Sequence, residues 1–301
     1  MTILFKQLRL ESQKELNPIL KIYATESCEY NFNTLYLWNS LYKTNYYIND
    51  KYIIFLNKYR DKYYTMMPIC SKENYKEVFK TIWDYFNKEL NIKLEMYGVE
   101  KDFANYINNN FNKEFVVIKE RDNFDYIYNA EDLRQLEGKK YHKKRNHINR
   151  FIRDYGDKYI YKNITKDNII EVKNFIKEWQ DSNEGNIGER LQHEAIGIEN
   201  MIINFEELDL KSGGIWIDNK LEAFTIGSYA NNLDQVIIHI EKANKNIRGL
   251  YAIINQLFLN NEYPKVKTVN REDDLGITGI RKAKRSYHPM RFVEKYKIIE
   301  K

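Results

Sequence analysis

The sequence predicts a mixed α/β (α+β) protein built as two similar lobes in tandem. Three observations predict it. Short β-branched and aromatic runs alternate with segments of helical periodicity along the whole chain. The same order of elements occurs twice: strand, helices, three-strand meander, helix, strand, helix, strand. Between the two occurrences lies a polar stretch, Asn129 to Gly138, that ends in glycine. The lobes are therefore expected at 1–130 and 131–301. The repeat is one of pattern, not of residues.

In the first half, Ile3 to Leu8 reads as a strand, and Glu11 to Ala24 as a helix with Leu16, Ile19, Leu20 and Tyr23 at helical spacing. Leu35, Trp38 and Leu41 form a core stripe. Tyr46–Ile48, Tyr52–Leu56 and Tyr63–Met67 read as successive antiparallel strands, turning at Asn49-Asp50 and Arg60-Asp61. Ser71 opens a helix running to about Leu90. Strand Leu94–Tyr97, helix Asp102–Asn110 and strands Phe115–Ile118 and Phe124–Tyr128 finish the half. In the second half, helix Gly138–Tyr155 is expected to bury Tyr141, Ile148, Ile152 and Tyr155. Strand Tyr159–Tyr161 and helices Lys166–Gln180 and Glu189–Glu207 follow. Ser212-Gly213-Gly214 reads as a turn before strands Ile215–Ile217, Leu221–Tyr229 and Gln235–Ile240, with Asp218-Asn219 as a hairpin turn. Helix Ile247–Leu259, strand Val266–Val269, a helix after Gly276 and a last strand Phe292–Ile298 complete the chain.

Composition narrows the class. With 301 residues, 43% hydrophobic and 30% charged, the chain folds as one large domain or two ordinary ones. Its net charge of +5 permits an anionic partner, and the basic residues are clustered. Cys28 and Cys70 form no C-x-x-C, so they read as reduced thiols of a cytoplasmic protein, and no metal site is expected. The N-terminus lacks the apolar core of a signal peptide, and no run of about 18 apolar residues spans a membrane. The nucleophile elbow G-x-S-x-G, the P-loop and the G-x-G-x-x-G fingerprint are absent.

Three segments carry chemistry. Val266 to Pro289 places Arg271, Glu272, Asp273 and Asp274 past a strand end, then Gly276 and Gly279, then Arg281, Lys282, Lys284 and Arg285. Acids and bases at the carboxyl end of a strand suit a polar site. Val236 to Asn255 places His239 and Glu241 on one strand face, where the two can share a proton. Glu241 or Asp274 is the expected base, and Arg248, Arg281, Lys282 and Lys284 the expected phosphate or oxyanion ligands. Gly138 to Tyr155, read as a helix, turns Lys139, Lys143, Arg150 and Arg153 away from its apolar side, toward nucleic-acid or lipid phosphates.

At these segments the chain resembles the soluble C-terminal domain of phosphatidylglycerol lysyltransferases. The resemblance rests on G-K-K-Y-H-K-K-R-N-H-I-N-R-F from Gly138, L-Q-H-E-A-I from Leu191, G-G-I-W-I-D-N-K-L-E-A-F-T-I-G from Gly213 and H-I-E-K-A-N from His239. It continues through I-R-G-L-Y-A-I-I-N from Ile247 and V-N-R-E-D-D-L-G-I-T-G-I-R-K-A-K-R-S-Y-H-P from Val269. It implies two tandem lobes of the acyl-CoA N-acyltransferase (GNAT) fold and kinship with Fem-type transferases. Those take an aminoacyl group from a charged tRNA, so an aminoacyl-tRNA donor is implied, with a lipid, peptide or small-molecule acceptor. The competing readings are a non-catalytic tRNA- or partner-binding module and a plain acetyltransferase. Acetyl-CoA is disfavoured because Asn246 and Tyr251 break the [QR]-x-x-G-x-[GA] pyrophosphate loop at Asn246–Tyr251. The flippase segment of the lipid synthases is not present in this sequence, which leaves peripheral contact of the basic helix with anionic lipid.

Overall fold

The computed structural model describes residues 3–23, 25–182, 188–231 and 234–301. The chain divides into two compact units. One comprises Met1–Asp125, Asp273–Ile277 and Phe292–Lys301, the other Tyr126–Glu272 and Thr278–Arg291. The chain begins with β1 (Lys6–Gln7), α1 (Gln13–Ile22), α2 (Phe32–Leu37), α3 (Asn39–Tyr42), β2 (Asn45–Ile48), β3 (Tyr52–Tyr59) and β4 (Lys62–Met66). Next come β5 (Ile69–Cys70), α4 (Tyr75–Asp84), β6 (Glu95–Glu100), α5 (Lys101–Asn110) and β7 (Phe115–Lys119). The second unit is built from β8 (Asp125–Asn129), α6 (Ala130–Gln135), α7 (His142–Tyr155), β9 (Tyr159–Lys162), α8 (Ile169–Ser182) and α9 (Glu189–Ile203). It continues through β10 (Lys211–Ile217), β11 (Lys220–Tyr229), β12 (Gln235–Ala243), α10 (Leu250–Glu262), β13 (Thr268–Asn270) and α11 (Thr278–Arg285). β14 (Arg291–Val293) spans the return to the first unit, where β15 (Lys295–Glu300) ends the chain.

Both units use one plan. In the first, the order is β1-β2-β3-β4-β6-β15-β7, with β5 on β3. In the second it runs β8-β13-β12-β11-β10-β9. An antiparallel meander leads through a helix to a strand that runs parallel to the meander's last strand: β4 to β6 through α4, and β12 to β13 through α10. A parallel neighbour needs such a crossover. The next strand in each sheet is antiparallel and comes from the other part of the sequence: β15 beside β6, and β8 beside β13.

This exchange is why the units differ from a division at residue 130. The strand expected at Phe124–Tyr128 to close the first half is β8, Asp125–Asn129, and its ladder partner is Thr268–Asn270. The expected last strand, Phe292–Ile298, is two strands broken at Glu294. The expected turn at Ser212-Gly213-Gly214 is the start of β10. There the glycines admit aromatic rings: a Cβ on Gly213 would lie 2.2 Å from the Tyr161 hydroxyl, and one on Gly214 2.5 Å from the Trp216 ring. Asp218 and Asn219 do form the hairpin turn, both with positive φ (49° and 66°), as such a turn requires. α1 ends at Ile22, and Ala24, its expected end, lies outside the described residues.

The second unit's core lies between its sheet and α6, α7 and α10. α10 buries Leu250, Ala252, Ile253, Ile254, Phe258 and Leu259, each large one contributing roughly 1.5–3 kcal/mol. Tyr141, just before α7, and Ile148 and Phe151 on it turn inward, while Ile152 is 46% exposed, so Phe151 takes the place expected for Ile152. The helical stripe is 141, 144, 148, 151, 155, which keeps strict i+3 and i+4 steps.

Candidate active site

In the second unit, β12 and β13 form the parallel pair, and their ladder ends at Ile237 opposite Asn270. Past that point β12 runs on to Ala243 while β13 ends at Asn270, so the two strands part at their carboxyl ends, and the space beyond the parting is here called the crevice. Such a crevice is where open α/β sheets bind ligands. A β-bulge shapes it: opposite β11 the register passes from Ile240–Ile226 to Ile238–Gly227, leaving His239 as the extra residue. Glu272, just past β13, holds positive φ (55°) and donates its N–H to Asn270 Oδ1 (2.7 Å).

Two side chains from the end of β13 reach back across the crevice. Arg271 Nη2 donates to Glu241 Oε1 at 2.6 Å, and Asn255 of α10 donates to Glu241 Oε2 at 2.9 Å. The side chains of Glu241 and Arg271 are only 10% and 11% exposed. Glu272 Oε1 lies 3.6 Å from His239 Nδ1, while His239 Nε2 is 2.8 Å from the Ser228 hydroxyl. Burial lowers the His239 pKa to about 3, so its ring is neutral at physiological pH. The expected His239–Glu241 pair is not formed. The bulge separates their environments, and Arg271 and Asn255 hold the Glu241 carboxylate.

The surroundings are aromatic and basic. The Arg271 guanidinium lies 4.8 Å from the centre of the Tyr287 ring, and Lys144 Nζ lies 3.6 Å from it. Burial, and after it the neighbouring Arg271 charge, lower the Lys144 pKa to about 8. Burial pushes the Tyr287 phenol up to about 12. Lys284 Nζ donates to the Arg271 carbonyl, and Tyr128 donates to the Lys284 carbonyl (2.8 Å), fixing the end of α11. Along the same strand, buried Lys242 pairs with Glu194 of α9 (2.8 Å) and lies over the Trp179 ring of α8 (3.8 Å).

The other predicted residues fall elsewhere. Asp274 belongs to the first unit and is completely buried. Its Oδ1 accepts the Gly276 N–H (2.9 Å), and its Oδ2 lies 3.5 Å from Arg121 Nη1. Gly276 is required there: φ is +73°, and a Cβ would meet the Asp122 carboxylate at 2.8 Å. Arg248 is exposed in the loop before α10, where Gly249 packs so close that a Cβ would lie 2.2 Å from the His147 carbonyl oxygen. Lys282 is exposed on α11, and Arg281 and Lys284 are half-buried there. Lys139, Lys143, Arg150 and Arg153 are all exposed on or beside α7, and Asp154 pairs with Arg150 (3.5 Å) and Arg153 (3.0 Å). In the first unit, Cys28, Glu29 and Asp125 bring potential metal-ligand atoms within 4.8 Å of one another. The Lys295 ammonium already supplies their positive charge, 2.5 Å from Asp125 and 2.6 Å from Glu29.

Sequence reasoning placed Arg271 in a polar segment past a strand end without giving it a role, and did not assign Lys144, Asn255 or Ser228 to the site. Lys144 carried a readable signal: it stands on the buried stripe of α7, where a lysine calls for an explanation.

Comparison with known proteins places this architecture. A conserved protein of unknown function from Bacteroides thetaiotaomicron is 32% identical, with full coverage of both chains and a TM-score of 0.91. L-PGS from Bacillus licheniformis shares the fold at 14% identity, covering 95% of this chain and 91% of its own, with a TM-score of 0.66. A tandem GNAT protein from the clavulanic acid biosynthesis pathway shares it at 8% identity, covering 100% and 98%, with a TM-score of 0.53. An uncharacterized protein of Mycoplasmoides gallisepticum is 23% identical over 172 residues, 57% of this chain, and the match spans about half (54%) of that relative's length. The chain thus has a tandem GNAT-like fold, and no helix among the described residues is long and apolar enough to cross a membrane. The family model for the C-terminal domain of phosphatidylglycerol lysyltransferase matches residues 20–299, and the chain belongs to that family.

Proposed function

We propose that the protein is an aminoacyltransferase that moves an aminoacyl group from a charged tRNA to an amine or hydroxyl acceptor, with its site in the crevice between β12 and β13. Family membership supports the reaction class. The observation that carries the location is the Glu241–Arg271 pair, a carboxylate and a guanidinium held nearly out of solvent where the parallel strands part. Glu241 is the base in this reading. The acceptor attacks the ester carbonyl as Glu241 takes the acceptor's proton, and the ester C–O bond breaks as Glu241 returns that proton to the departing oxygen, releasing the ribose hydroxyl. Glu241 is preferred over Asp274 because Asp274 is wholly buried and serves the backbone of its own turn. Its neutral ring makes His239 a positioning residue that holds the bulge through Ser228.

Arg248, before α10, and Lys282, on α11, are exposed cations of this unit that would meet donor phosphates, with Arg281 preceding Lys282 on α11. The basic face of α7 is the proposed tRNA contact, and anionic lipid is the other polyanion such a face suits. The Asn246–Tyr251 turn supports an aminoacyl ester over acetyl-CoA as donor, since Tyr251 stands where a CoA loop has a small residue. Consumption of aminoacyl-tRNA by the purified protein tests the reading. A protein that binds charged tRNA and leaves it intact would be a binding module on the same scaffold.

A further inference from the structure

We propose that Arg271, Lys144 and Tyr287 form an oxyanion subsite, which receives a carboxylate or phosphoryl group of the molecule that binds in the crevice. The subsite rests on the crevice being a ligand site; its physical signature is independent of which reaction occurs there. Arg271 uses Nη2 for Glu241, whereas its Nη1 is completely buried and makes no hydrogen bond of good geometry among the described residues, the Tyr287 phenol being the one group that interacts with the guanidinium as a weak hydrogen-bond partner. A buried guanidinium N–H without an acceptor is costly and calls for an explanation. Lys144 comes from a different element, α7, and its ammonium rests on the Tyr287 ring (3.6 Å), with no carboxylate of the described residues in salt-bridge range. Arg271 lies against the same ring (4.8 Å to its centre).

Two cations therefore converge on one aromatic ring. The nearest acid, Glu241, is already held by Arg271 Nη2 and Asn255, and Glu272 faces His239. Lys284 spends its ammonium on the Arg271 carbonyl. An incoming oxyanion would accept from Nη1 and Nζ together and offset both the burial and, after it, the Arg271 repulsion that lower the Lys144 pKa. Carboxylate and phosphoryl oxygen share this chemistry, so the probes must separate them.

The test is calorimetric titration of the full chain with sodium acetate and with inorganic phosphate, at constant ionic strength and with chloride as control. Alongside it, the Lys144 titration is followed by its 13Cε shift. Binding in roughly the millimolar range is expected for at least one anion, with Lys144 titrating about a pH unit higher when it is bound. Preference for acetate assigns a carboxylate-bearing ligand, and preference for phosphate a phosphoryl one. Lys144→Gln and Arg271→Lys should each weaken binding about tenfold or more. Neither anion binding better than chloride, or unchanged binding in Lys144→Gln, overturns the subsite. If a variant fails to fold, the 13Cε titration of the unaltered protein decides alone, and no anion-induced shift counts against the proposal. No tRNA enters these measurements, so intact anion binding with no aminoacyl transfer would sink the proposed reaction and leave the subsite standing.

Discussion

Arg271, one residue past the end of β13, binds Glu241 of the neighbouring parallel strand at 2.6 Å, and both side chains are about nine-tenths buried. Burying a pair costs desolvation that its attraction only roughly offsets, so its presence in a crevice points to use more than to stability. Breaking it is another matter. Glu241→Leu alone should destabilise the protein by about 3–5 kcal/mol, because it strands a buried guanidinium. The double variant Glu241→Leu/Arg271→Met should recover most of that. Urea denaturation of the two single variants and the double variant measures the coupling. Additive losses would show that the two groups do not depend on each other.

Asp274 holds a turn. Asp274→Asn should lower stability by roughly 1–3 kcal/mol, the usual cost of a disturbed buried polar group, and the folded fraction should keep its turnover per molecule. Thermal melts paired with activity per folded molecule separate the roles. An unchanged melting temperature with lost turnover would restore Asp274 as a catalytic residue.

Two buried groups give opposite pH signatures. The folded pKa of His239 is about 3, below its ordinary value of 6.5, through burial. Between those values the unfolded chain binds the proton and the native protein does not, so stability is full above 6.5 and falls as pH drops. Glu100 is raised by burial from 4.5 to about 7. Its contribution is full below 4.5 and is lost as pH rises through 7. Each slope approaches about 1.4 kcal/mol per pH unit within its window. Denaturation midpoints from about pH 3 to 7, the span of the two windows, should flatten on the acid side in His239→Asn and on the neutral side in Glu100→Gln. Unaltered profiles would contradict these environments.

Much of this was legible in the sequence. Alternation in β2, β3 and β4 and the helical spacing of α10 follow from side-chain periodicity, which is local. The exchange of β8 and β15 between sheets was not legible, because strand pairing across more than a hundred residues leaves no periodic trace. The Gly213-Gly214 pair misled for a physical reason: glycine marks a turn and also marks close approach of a ring to a strand, and here Tyr161 and Trp216 decide. The polar segment past the β13 end was found in the sequence, yet its parts serve different units. Arg271 and Glu272 serve the crevice, and Asp274 serves the turn beyond. The His239–Glu241 pair failed because a bulge breaks the period-two rule on which it rested.

The exposed face of α7 makes a prediction in salt. If Lys139, Lys143, Arg150 and Arg153 meet tRNA phosphates, removing any one of these cations should flatten the log–log dependence of affinity on salt by roughly 0.7–0.9. The effect of Arg150 and Arg153 should be the smaller, since Asp154 already engages both. Fluorescence anisotropy with unacylated tRNA and with anionic vesicles, comparing the unaltered protein with the four-fold Gln variant, measures it. Equal affinity and slope for both proteins on both ligands would return this face to plain solvated surface.

The most direct test is single-turnover consumption of bulk aminoacylated tRNA by the purified protein, read as loss of the ester bond, with Glu241→Gln as the comparison and acetyl-CoA as the alternative donor. Consumption by the unaltered protein, reduced about 100-fold or more in Glu241→Gln at equal folded content, with no turnover of acetyl-CoA, is the expected result. Acetyl-CoA turnover with charged tRNA left intact, or full activity in Glu241→Gln, would contradict an aminoacyltransferase site between β12 and β13.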